Sequence, residues 1–164
     1  VIAFPERVQD LPARKEHARE RVDTSYHATT VARLQSMTAQ TPALTGIRTG
    51  AHPGFDRVVL DFGPGPQPTF TQQQVDELTA DASGEVVWLT GLTFTAVSVH
   101  GAHDGGSYTG PAKFRTHGLT NVVAIAETGD FEDVLSIGIG ERRATTVTLE
   151  WLTGPNRLVI DVTH

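Results

Sequence analysis

The chain has 164 residues, of which 38% are hydrophobic and 20% charged, and it contains no cysteine. That is one domain's length with enough apolar material for a core, and it excludes disulfides, thiolate metal sites and a cysteine nucleophile. A formal net charge of -6 argues against a nucleic-acid partner, because phosphate-backbone binding depends on clustered Lys and Arg.

Residues 1–43 read as an N-terminal arm set apart from the rest, partly helical or mobile. "PARKEHARER" is dense in charge and lacks glycine, while Val22, Tyr26, Val31, Leu34 and Met37 recur with an imperfect helical period. That spacing predicts helix somewhere between Pro12 and Thr38. "AQTPAL" follows as a linker broken at Pro42. A chain that starts at Val1 is expected to be a processed form or fragment, with any export signal or lipid-attachment cysteine upstream.

Residues 44–164 change character. Short runs of period two alternate with turns rich in Gly, Pro and Asn: "TGIRTG", "RVVLDFG", "PTFTQQQV", "EVVWLTGLTFTAVSVHG", "NVVAIAET", "FEDVLSIGIGE", "TTVTLEWL" and "NRLVIDVT". No helix-period segment separates them. The expected fold class is all-β, a small β-sandwich of two packed antiparallel sheets.

An internal pseudo-repeat stands out within it: "DRVVLDF" at 56–62 and "NRLVIDV" at 156–162. In the first copy Val58, Leu60 and Phe62 share one face and Arg57, Val59 and Asp61 the other. In the second, Leu158, Ile160 and Val162 oppose Arg157, Val159 and Asp161. The apolar faces belong inside, and a one-residue slip would bury Arg and Asp, so the register is well specified. Each copy follows a Gly-containing turn and is expected to be the second arm of a hairpin. If the two are antiparallel neighbours with Val59 opposite Val159, Arg57 lies opposite Asp161 and Asp61 opposite Arg157. If they lie in different sheets, each pairs elsewhere.

"TGIRTGAHPGFDRVVLDF", "SYTGPAKF", "NVVAIAETGDFEDVLSIGIG" and "TGPNRLVIDV", in that order, resemble the AMIN-like domains of actinobacterial envelope proteins and lipoproteins over residues 44–164. The resemblance implies a sandwich of two small sheets and an exported protein of the cell envelope or extracellular space. It implies a non-catalytic binding role, without cofactor, for cell-wall glycan, peptidoglycan or an envelope protein, and a precursor that is membrane-anchored by lipid.

Several constellations carry chemistry. "AHPGFDR" places His52, Phe55, Asp56 and Arg57 around a Pro-Gly turn, where an aromatic beside Asp and Arg could stack on a sugar and bond its hydroxyls. Tyr108, in "GGSYTGP", is the other candidate contact. Ser107 lies near His103 and Asp104 in sequence but lacks an elbow motif, so no catalytic residue is expected. His100, His103 and Asp104 are metal-capable, yet a further ligand such as His52 or His117 would be needed and the spacing fits no zinc motif, so no metal is expected. "GDFEDV" reads as a turn feeding a strand, the glycines of "GIGER" as a bulge or close packing, and Trp88 and Trp151 as core or edge packing. The leading expectation is therefore the envelope-binding module. Self-association through the arm and sheet edges is the alternative, and a hydrolase built on the His100–His103–Asp104 loop comes third.

Overall fold

A computed structural model describes residues 40–164 of the protein. The helix expected between Pro12 and Thr38 lies outside the described residues. Nine strands follow in order: β1 (Leu44–His52), β2 (Phe55–Phe62), β3 (Thr69–Val75), β4 (Thr93–His100), β5 (Lys113–Arg115), β6 (Val122–Phe131), β7 (Val134–Glu141), β8 (Val147–Leu152) and β9 (Arg157–Thr163). They form two antiparallel sheets, ordered β1-β2-β9-β8 and β3-β4-β7-β6-β5.

The doubled phrase is the seam of the first sheet. Strands β1 and β2 form one hairpin and β8 and β9 another, and the two hairpins join through β2 and β9 with Val59 opposite Val159 and Arg57 opposite Asp161. Val58, Leu60, Leu158, Ile160 and Val162 are fully buried, as the alternation requires. They meet Val97, Val99, Ile125, Leu135, Ile137 and Ile139 of the second sheet in a single apolar core.

The outward face departs from the simplest pairing in one respect. Arg57 grips Asp161 with two hydrogen bonds of 2.7 and 2.8 Å. Asp61 sits opposite Arg157 but is taken from the other side by Arg48, at 2.6 and 2.7 Å, while Arg157 donates to the Pro155 carbonyl. An edge-strand arginine directed at the neighbouring strand outcompetes the cross-strand partner. Val59 and Val159 point outward yet are almost buried, with Arg48 beside one and Glu150 beside the other.

Residues 85–92 do not continue β4 as a strand, against expectation. From Asp76 to Gly91 the chain crosses the outer face of the second sheet, and Gly138 and Gly140 allow the approach: a Cβ on Gly138 would meet Leu78, and one on Gly140 would strike the Thr90 carbonyl. "GIGER" thus permits close packing. "GDFEDV" is the β6–β7 turn, with Glu132 and Asp133 both left-handed (φ 50° and 57°) as a two-residue hairpin connection demands.

Candidate functional site

Three of the expected binding residues gather at the tip of the β1–β2 hairpin. Pro53 and Gly54 make the turn, Gly54 at a φ of 88°, and the register sets His52 opposite Phe55. Their rings stack at 4.8 Å with planes 7° apart. The Arg57 guanidinium lies 5.2 Å from the Phe55 ring centre, within cation–π range, while holding Asp161. That carboxylate's hydrogen bonds push the Arg57 pKa up from its ordinary value. Phe55 does not fold onto the core; it shares the outward face with Arg57. The result is a platform at the hairpin tip in which the His52 ring and the Arg57 guanidinium both lie against the Phe55 ring, with Arg57 held by Asp161.

Asp56 is a correction. It was expected at the exposed tip with its neighbours, but it is fully buried. Its carboxylate accepts the backbone N–H groups of Thr120, Asn121 and Val122 at 3.1, 2.6 and 2.9 Å. The reason is parity. Residues 56, 58, 60 and 62 share one face, so the alternation that buries Leu60 also turns Asp56 inward. Extending the period-two pattern back by one step would have shown it. Asn121 completes this knot, its amide N–H₂ donating to the Arg143 and Thr163 carbonyls and to the Thr145 hydroxyl.

Tyr108 stands elsewhere. It packs half-buried against the core, and its hydroxyl donates to the Pro111 carbonyl at 3.2 Å. Its loop is tied to the start of β1, where Leu44 N–H donates to His103 O, so the length of β1, roughly 25 Å, separates it from His52. Burial, then Glu127 and Asp104, push its pKa up. Burial, then Asp104 and Asp130, do the same for Glu127. His103 Nε2 lies 3.2 Å from the Thr41 carbonyl, and Asp104 accepts from Tyr108 N–H. Among the described residues, no three His, Asp or Glu side chains converge as a metal site would need.

A second surface escaped the sequence reading. Trp88, expected in the core or at an edge, is 81% exposed, because the segment that carries it is not a strand; Leu92 is 84% exposed. Beside them Lys113, Arg115 and Arg142 line depressions between residues 88–92 and β5. These residues come from three separate stretches of sequence, and no local pattern links them. Trp151 does pack as expected, its rings 5.3 Å from Phe62.

With this geometry in place, the comparison with known families is decisive: the model of the AMIN-like domain matches residues 42–164. The chain belongs to the AMIN-like family. The match takes in both sheets, the hairpin platform and the groove beside Trp88, so each candidate surface is part of the AMIN-like domain. No curated protein and no solved structure matches the chain.

Proposed function

We propose that this AMIN-like domain is a non-catalytic binding module of the cell envelope, engaging cell-wall glycan or an envelope protein through the hairpin platform. One observation carries the reading: His52, Phe55 and Arg57 are stacked together on the outward face of the hairpin. A preformed aromatic surface loses little conformational entropy on binding, and aromatic and Arg anchors dominate binding energy where they are displayed. Membership of the AMIN-like family supports both the envelope setting and the absence of catalysis. Export and lipid attachment of the precursor belong to the same reading.

Purified cell-wall sacculi incubated with the protein test it. The domain is expected to sediment with sacculi above a control protein of similar charge. Phe55→Ala is expected to reduce retention about fivefold, in the range of a truncated aromatic contact. Retention no greater than the control's would overturn glycan binding.

A further inference from the structure

The segment between β3 and β4 displays Trp88 and Leu92 from an anchored backbone. Leu92 N–H donates to the Glu141 carbonyl at 2.8 Å, Lys113 Nζ donates to the Trp88 carbonyl at 2.9 Å, and the Thr90 carbonyl is seated on Gly140. The indole of Trp88 is thus held exposed on an anchored backbone. Between this segment and β5 run two adjoining depressions of about 470 and 260 Å³ that share Thr90 and Arg115 as walls. The larger falls within the size of small-molecule sites, roughly 300–1,000 Å³.

The charge of this groove opposes that of the chain. A chain of net charge -6 with 13 Lys and Arg places three of them, Lys113, Arg115 and Arg142, along one channel. Among the described residues none of the three pairs with a carboxylate; the described arginine ion pairs use Arg48 and Arg57. Glu141 contributes to the floor, but its side chain is fully buried and accepts from Thr95. On the far side of Trp88, Asp76 and Glu77 line a separate, smaller hollow. The cationic channel is therefore bounded, with its aromatic at one end.

We propose that this groove binds an anionic saccharide, with a pyranose ring laying its C–H face on the Trp88 indole and its carboxylates on Arg115 and Arg142. A guanidinium matches a carboxylate with two parallel hydrogen bonds. Leu89, Phe114, Val123 and Ala124 add apolar wall between the Thr, Lys and Arg side chains, a mixed lining that suits a sugar's C–H faces and its polar edges together. The inference rests on the binding-module reading and deepens it, naming a ligand class and a second surface. The two surfaces meet at one end of the sandwich: Thr120 N–H bonds Asp56 beneath the platform, and the Thr120 carbonyl accepts from Arg142 Nε. A saccharide chain leaving the groove past Arg142 would thus run toward Phe55.

Titration with a galacturonate hexamer, followed by tryptophan fluorescence and calorimetry, tests the proposal. Binding is expected, and it should weaken at least about tenfold between about 0.05 and 0.3 M salt, as for a charge-driven contact. Trp88→Ala and Arg115→Gln are each expected to weaken it about tenfold with melting temperature unchanged, both side chains being exposed. Phe131→Ala, an exposed aromatic at another hairpin, should leave it unchanged. Equal binding of a neutral chitin hexamer, no binding of galacturonate, or indifference to Trp88→Ala would each overturn it. Tighter binding of polyglutamate, independent of Trp88, would assign the channel to acidic peptide instead. Sacculi retained without galacturonate binding would sink the groove alone; galacturonate bound without sacculi retention would sink the platform reading alone.

Discussion

Two buried carboxylates show how little a residue's type says about its task. Asp56 and Glu141 are both fully buried, yet one is saturated and the other is not. Three backbone amides close on Asp56, so it acts as a clamp between β2 and the approach to β6. Asp56→Ala would orphan the buried N–H groups of Asn121 and Val122, each costing about 1–3 kcal/mol, and is expected to destabilise the domain by at least about 2 kcal/mol in urea unfolding. Glu141 receives the Thr95 hydroxyl at 2.5 Å on one oxygen, and among the described residues its other oxygen makes no hydrogen bond of ordinary length. Burial raises its pKa above the ordinary value near 4.5, and hydrogen bonding from Thr95 and then Gln74 only partly offsets this. The fold thus favours the protonated acid. Its contribution to stability is complete below about pH 4.5 and declines as pH rises through the higher folded-state pKa. Glu141→Gln keeps an acceptor for Thr95 and removes the ionisation. The variant should gain on the parent as pH rises above about 4.5, as read from urea midpoints. A parallel pair of pH profiles would refute the assignment.

At the scale of elements, pairing arithmetic reached further than residue chemistry. The alternation in 56–62 and 156–162 shows which side chains are inside, and of the two pairings it leaves open, the one the fold adopts, with Val59 opposite Val159, is the one that sets Arg57 opposite Asp161. That bridge is bidentate but partly exposed, so it is expected to couple by only about 0.5–1 kcal/mol in a cycle of Arg57→Ala and Asp161→Ala. Coupling indistinguishable from zero would leave it a surface ornament of the register rather than a contributor to it. What the alternation could not supply is competition from outside the pair, such as Arg48 capturing Asp61. Nor could it reveal the path of residues 76–91. "EVVWL" has the composition of a strand, and nothing in it records that Gly140 lies ready to accept the Thr90 carbonyl. Gly140→Ala should therefore dislodge the segment, quenching the groove while sparing the core. It is expected to cost roughly 1–3 kcal/mol, as overpacking does, and to speed hydrogen exchange at Leu92 N–H.

Across the whole molecule, the sandwich divides its labour between faces. The inner faces carry the fold and were legible as apolar periodicity. The platform and groove lie on outer faces and at one end, where residues distant in sequence meet, and there the sequence named the hairpin tip but not the channel beside Trp88. The seam between β2 and β9 ties segments about a hundred residues apart, so the four-stranded sheet cannot exist as half a chain's local structure. Leu60 faces Leu158 across that seam, and Ile160 lies diagonal to Leu60 on the same inner face. Either Leu60→Ala or Ile160→Ala is expected to cost about 2–5 kcal/mol, the range for buried aliphatic truncations. Because the two share neighbours, the voids should merge and the double variant fall short of the sum. A domain stability of about 5–15 kcal/mol leaves that double variant marginal at room temperature. Its unfolding should remain one cooperative transition by fluorescence and circular dichroism, because both sheets lean on the same core. Two separated transitions would mean instead that each sheet holds together alone, and that the repeated strand is not the hinge of the fold.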